Sequence, residues 1–180
     1  MLRFPSFSVR TAVLPVLFSG LFLLSACKES TTAPDTASPS TTTEAQLYAM
    51  GKSSAGFTFY KLSTDTIAKG GNSGHPDARL RTRYNAIAAH YLDASGKVKT
   101  GTVFPDSSLI VKELFTGSTL TTYVFLFKKK NDTNADANGW VWAETDPSGA
   151  ATYPVGNKGS GCISCHSSGI DFTRMNDAHP

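Results

Sequence analysis

Cys162-Ile163-Ser164-Cys165-His166 is the stretch that most restricts this chain, because Cys-x-x-Cys-His is the spacing at which a c-type haem is attached. Two thiols three residues apart on one turn reach both vinyl groups of a single porphyrin. The adjacent histidine then falls beneath the iron and supplies an imidazole ligand. A zinc site wants two more ligands nearby, and a thioredoxin-like dithiol sits near a βαβ pattern that does not precede Cys162. The spacing therefore predicts one haem c, covalent through Cys162 and Cys165, with His166 on the metal. Only fourteen residues follow His166, so attachment falls at the end of the chain.

The first 26 residues read as an export signal: Arg3 and Arg10, an apolar run from Thr11 to Ala26, and small residues before Cys27. That run is too short and too interrupted by Pro and Gly to span a membrane comfortably. Leu24-Ser25-Ala26-Cys27 looks like a bacterial lipobox, which makes Cys27 the expected lipid-modified residue; cleavage after Ala26 with a free Cys27 is the alternative. The expected location is the cell envelope, lipid-anchored and facing the periplasm or the outer surface. All three cysteines are then used, no disulfide remains, and the fold must rest on its own core and the haem. Loss of Arg3 and Arg10 with the signal lowers the formal charge from +3 to +1, which argues against nucleic acid or an anionic surface as partner. Contact with membrane is expected through the lipid alone.

Residues 27–43 are dominated by Ser, Thr and Pro and read as a disordered tether. Residues 44–180 form one domain of ordinary size. Thr43 caps a short helix from Glu44, stopped at Gly51. Phe57 to Leu62 is strand-like, and the breakers between Lys69 and Asp77 make a loop. Ala78 to Tyr84 alternates, with Arg79, Arg81 and Arg83 on one side and Leu80, Thr82 and Tyr84 on the other. Asn85 caps a helix over residues 86–93.

The best-defined element is a hairpin, Ser108 to Phe115 and Leu120 to Phe127, turning at Gly117-Ser118 with glycine first as a type II′ turn prefers. Counting back from Thr116 opposite Thr119 sets Lys112 opposite Tyr123. Period two then gathers Ile110, Lys112, Leu114, Tyr123, Phe125 and Phe127 on one face. Lys128-Lys129-Lys130 reads as a solvated strand end. Asp132, Asn134 and Asp136 alternate as in a calcium loop, but the glycine and the final glutamate of an EF-hand are missing. Trp140 to Glu144 is a further strand with both tryptophans and Glu144 on one face. The fold class is α+β, mainly antiparallel β-sheet with a few short helices.

A second axial ligand is hard to find. Met175 follows His166 too closely to round a porphyrin edge, and Met50 reads as helix filler. His75, His90 and His179 read as loop, helix surface and tail. The expectation is a five-coordinate iron with an open site, which does chemistry or binds gases, whereas a filled site mainly passes electrons.

Phe104-Pro105-Asp106-Ser107-Ser108-Leu109-Ile110-Val111-Lys112-Glu113-Leu114, a Gly139-Trp140 strand and the late Cys-x-x-Cys-His resemble the cytochrome P-460 family, which also contains the cytochromes c′-beta. The resemblance covers roughly Arg79 to Met175. It implies a mainly antiparallel sheet and a haem with histidine on one side and an open or water-filled site on the other. In cytochromes P-460 a lysine bonds covalently to a haem meso carbon and the enzyme oxidises hydroxylamine. The c′-beta members lack that bond and bind nitric oxide or carbon monoxide. Lys112 matches the crosslinking lysine, and Arg81 matches an arginine lying near the haem. Family members often dimerise, which leaves a homodimer open here.

Chemistry supports a role for Lys112 independently: a lysine facing apolar groups has a lowered pKa, and the neutral amine is the nucleophile. Its alternative is to lay its stem on the patch and lift the ammonium to water. Tyr123, beside it in the predicted register, becomes a candidate haem contact. Arg81 has a haem propionate as candidate partner, or solvent. Glu144, on the face of two tryptophans, is a candidate proton acceptor. Taken with the resemblance, the function implied is oxidation of a hydroxylamine-type nitrogen compound, with electrons leaving to another cytochrome or a quinol-linked acceptor. A nitric oxide binder and a plain electron carrier are the alternatives.

Overall fold

A computed structural model describes residues 40–71 and 73–174. The signal segment, Cys27, most of the tether, Met175 and His179 lie outside the described residues.

Helix α1, Glu44–Gly51, begins as the sequence predicts. Thr43 Oγ1 accepts from the Gln46 N–H at 3.3 Å and Gln46 Oε1 accepts from the Thr43 N–H at 2.9 Å, a reciprocal cap. Two short strands follow, β1 (Thr58–Phe59) and β2 (Ile67–Ala68), then β3 (Arg79–Tyr84) and helix α2 (Ala86–Ala89), capped by the Asn85 side chain. The longest strands are β4 (Leu109–Thr116) and β5 (Thr119–Lys128). They are followed by β6 (Trp140–Thr145), β7 (Ala151–Tyr153) and the single turn α3 (Ile163–His166). Every pairing between strands is antiparallel, in the order β1-β3-β4-β5-β6-β7, with β2 also on β3. The fold is α+β with a sheet of seven strands and little helix, as expected. The strand expected from Phe57 is shorter and ends in a 3₁₀ turn, Tyr60–Leu62. The helix after Asn85 ends at Ala89 rather than Asp93.

Both sheet faces are apolar, so β4 is buried along all but its last residue. One face carries Leu80, Tyr84, Ile110, Leu114, Val124, Leu126, Trp140 and Trp142, with Cys162, Ile163 and Ile170 packed against it. The other carries Leu109, Val111, Tyr123, Phe125, Phe127 and Val141 under Leu47 of α1. The period-two geometry of strands assigns alternate residues to these layers.

The hairpin turn is where the sequence puts it: Thr116 pairs with Thr119, and Gly117 takes φ +62°, which glycine adopts without strain. The register beyond it differs from expectation. Phe115 pairs with Leu120 but Leu114 pairs with Thr122, so Thr121 is an extra residue in β5. Its hydroxyl donates to Asp77 Oδ1 (2.8 Å), with the Leu114 carbonyl 3.0 Å away, which stabilises the bulge from both sides. One inserted residue reverses every later side chain in the strand. Lys112 therefore faces Val124, and Tyr123 lies opposite Glu113 on the far face. The predicted neighbourhood of Lys112 is corrected accordingly: it comprises Ile110, Leu114, Val124 and Leu126, without Tyr123, Phe125 or Phe127.

The lysine triplet is also corrected. Lys128 is 1% exposed, with Nζ donating to both carboxylate oxygens of Asp171 at 3.0 Å and to the Asn138 carbonyl at 2.9 Å, above the Trp140 ring. Asp171 Oδ2 also accepts from the Phe104 N–H (2.8 Å), and the Asp171 carbonyl accepts from Trp140 Nε1 (2.9 Å). The segment after His166 is thus tied to the first face of the sheet. In the loop before β6, Asp132 accepts from Thr42 and Asn134, and Asp136 accepts from Asn138, Trp140 and Trp142. These carboxylates close the loop.

Candidate functional site

The turn into α3 begins at Gly159, whose carbonyl accepts from the Cys162 and Ile163 N–H groups at 2.9 and 3.0 Å. Gly159 has φ +75°, and a Cβ there would stand 2.8 Å from Trp142 Nε1 and 2.9 Å from Ile163. Only glycine lets the segment lie this close to the indole. The His166 N–H then donates to the Cys162 carbonyl at 3.0 Å, closing one helical turn. At positions i, i+3 and i+4 the side chains of Cys162, Cys165 and His166 share one side. All three line a half-open cleft of about 140 Å³, and Glu144 and His75 line it with them.

His166 is held in one orientation. Its Nδ1 lies 2.8 Å from the Phe172 carbonyl, an acceptor, so Nδ1 carries the proton and Nε2 the lone pair. The ring stands edge-on to Trp142, centroids 5.0 Å apart at 88°, and Trp142 Nε1 donates to Asp136 Oδ2 at 2.9 Å. A carbonyl behind a histidine in this way is how metal-binding imidazoles are oriented. Cys162 is half-buried against the sheet; burial pushes its thiol pKa up, opposed by a hydrogen bond from Tyr153. Cys165 is exposed.

These residues fit a thioether-anchored haem. Two uncrosslinked thiols and an imidazole held through Nδ1 border one cleft. Cys162 and Cys165 would hold the porphyrin and His166 the iron.

The sheet presents a row of residues to the same side. Thr82 pairs with Lys112, Lys112 with Val124, Val124 with Glu144 and Glu144 with Tyr153. Lys112 is 6% exposed and does not snorkel. Burial lowers its pKa to about 8; Arg174 lowers it further by repulsion, and Glu144 opposes. Glu144 has its pKa raised by burial, with Lys112 opposing and Asp77 adding to the rise. Lys112 is thus on the face that Cys162 packs against, a position behind the cleft wall at Glu144. Both tryptophans and Glu144 share a face, as the alternation in β6 predicts.

Two expected site residues are elsewhere. Tyr123 faces the opposite layer, stacked on Phe125 with centroids 6.0 Å apart, because of the bulge at Thr121. Arg81 also lies on that far side: Nε donates to Glu113 Oε2 at 2.6 Å, and the guanidinium sits over the Phe59 and Phe115 rings. Arg83, fully buried, meets Glu113 Oε1 at 3.1 Å and donates to the Gly51 and Ser53 carbonyls. Arg81 follows the alternation of β3, which puts it on the side away from Lys112 and Cys162. It is a partner of Glu113 and not a residue of this cleft.

His75 is the lining residue that sequence reasoning assigned to a loop. Its Nδ1 is 3.9 Å from Glu144 Oε1, a contact across 69 positions with no signal in local pattern. No family model, curated protein or solved structure matches the chain.

Proposed function

We propose that this chain is a monohaem c-type protein with one axial position for a small nitrogen compound of the hydroxylamine type, which it oxidises, passing electrons to a redox partner such as another cytochrome or a quinol-linked acceptor. The observation that carries this reading is the convergence of Cys162, Cys165 and an oriented His166 on one cleft that also exposes Glu144. Bound haem supplies the electron sink and the coordination site. The chain's own residues do the rest. The Phe172 carbonyl fixes the His166 tautomer. Glu144, whose pKa burial raises, is the proton acceptor within the cleft. Lys112, whose pKa near 8 leaves much of it as neutral amine at mildly alkaline pH, is the residue for the lysine–porphyrin bond that the family resemblance implies. Export with lipid on Cys27 places the domain at the cell envelope.

The test is an absorption spectrum of the matured, purified protein, with haem staining after denaturation. Stain retained on the denatured chain and a reduced Soret band shifted far to the red support the reading. An ordinary high-spin spectrum points to a nitric oxide binder without the lysine bond, and sharp low-spin bands point to an electron carrier. Absence of covalent porphyrin would end all three.

A further inference from the structure

Shortly after His166 the backbone takes a conformation that its side chains oppose. Asp171 and Phe172 have φ values of +46° and +64°, two consecutive left-handed residues, neither of them glycine. For a ring as bulky as phenylalanine this is a true outlier. Such a pair persists only where its surroundings over-determine it, and here the contacts of Asp171 do so. Its carboxylate accepts from Lys128 Nζ at both oxygens, 3.0 Å each, and from the Phe104 N–H at 2.8 Å. Its carbonyl accepts from Trp140 Nε1 at 2.9 Å. These donors stand on β5, on the segment before β4 and on β6, so Asp171 is pinned from three directions. The Lys128 and Asp171 side chains are 2% and 10% exposed, which keeps water from competing for the pair.

The pinned segment delivers one carbonyl to the cleft residues. Phe172 O stands 2.8 Å from His166 Nδ1. A carbonyl oxygen only accepts, so the imidazole supplies the proton of this bond. The Thr173 N–H and hydroxyl both donate to the Ile170 carbonyl, at 2.9 and 2.7 Å, and close the strap on which Phe172 sits.

We propose that Asp171 is a positioning residue for the axial histidine: by holding the strained Asp171–Phe172 pair against the sheet, it aims the Phe172 carbonyl at His166 Nδ1 and so sets how strongly the imidazole donates to iron. This rests on the haem c reading above. It has a direction, because a stronger bond at Nδ1 makes the ring a better donor and favours the ferric state. Loosening the strap therefore raises the reduction potential.

The experiment compares the matured full-length wild type with Asp171→Asn and with Lys128→Met/Asp171→Leu. Reduction potentials are read by spectroelectrochemistry, and solvent exchange of the His166 Nδ1 proton is followed by NMR. In both variants that proton should exchange about fivefold faster, the scale of one neutral hydrogen bond, and the potential should rise. The double variant leaves the net charge unchanged, so electrostatics alone would not move its potential, and it carries the test even where Asp171→Asn folds poorly. Leucine tolerates the left-handed region less well than aspartate does, so the strap relaxes there although the buried charges are gone. Wild-type exchange and potential in the double variant overturn the proposal. So does a raised potential in Asp171→Asn with Nδ1 exchange unchanged, which is loss of charge alone. Haem staining separates these outcomes from failure of the haem reading: a wild type without covalent porphyrin ends that reading. The ¹⁵N shifts of the His166 ring in the same haem-free chains then report on the strap, and a proton that stays on Nδ1 in both variants removes the positioning role as well.

Discussion

Lys112 and Glu144 stand in one row across the sheet with Val124 between them, so a buried amine and a half-buried carboxylate project to the same side two strands apart. Each favours the charged form of the other, yet burial outweighs that attraction in both: Lys112 is shifted down and Glu144 up. The two groups are pushed towards neutrality together.

The pH dependence of stability should show this. The folded pKa of Lys112, about 8, lies below its ordinary 10.5, so between those values the unfolded chain binds more protons and stability rises with pH. In a haem-free Cys162→Ser/Cys165→Ser protein the gain from pH 8 to 9.5 should be roughly 2 kcal/mol. Adding Lys112→Met should remove most of that slope. Urea denaturation at the two pH values checks it, and an unchanged slope would remove Lys112 as the cause.

Lys112→Leu in the matured protein should leave haem on Cys162 and Cys165 and move a red-shifted Soret band back to the position of an ordinary c-type haem. Leucine suits the apolar surroundings of Ile110, Leu114 and Val124. The variant should therefore be at least as stable as the parent at neutral pH, since it removes a buried ionisable group. A red-shifted spectrum that survives the substitution rules the lysine out.

Glu113→Gln should cost about 3–5 kcal/mol, because it leaves the fully buried Arg83 beside Arg81 without a carboxylate. Arg81→Ala, at the more exposed end of the same cluster, should cost only roughly 1 kcal/mol. Neither should alter the visible spectrum. Chemical denaturation and absorption measured on the same samples check both; a spectral change in Arg81→Ala would return that residue to the cleft.

How much of this arrangement could be read in the sequence depends on the range of the interaction. The Thr43 and Asn85 caps, the Gly117 turn and the shared face of Trp140, Trp142 and Glu144 follow from neighbours within four residues, and they are present as expected. The register of β5 was not legible, because Thr121 is stabilised by Asp77, 44 positions away, and that contact makes the bulge. Arg81 was misplaced for a related reason: its alternation with Leu80 and Thr82 was visible, but its partner Glu113 on the next strand was not. His75 and the burial of Lys128 likewise depend on Glu144 and Asp171, which no local pattern connects to them.

Asp171→Asn should destabilise the protein by about 3–5 kcal/mol by leaving the Lys128 ammonium buried without its counter-charge. Amide hydrogen exchange across residues 163–173 should accelerate at the same time, since Asp171 also anchors Phe104 and Trp140. Lys128→Met combined with Asp171→Leu should recover part of the loss. Undiminished protection in Asp171→Asn would show that the tail is secured by other contacts.

The missing side chain at position 159 has a reach beyond its own turn. The indole of Trp142 is confined between that backbone and the edge of the His166 ring, with its nitrogen tethered to Asp136. Even a methyl group at 159 must shove the indole, and the imidazole leaning on it has to tilt in response. Position 159 is therefore a remote tuning screw for the tilt of the His166 ring, seven residues away from it.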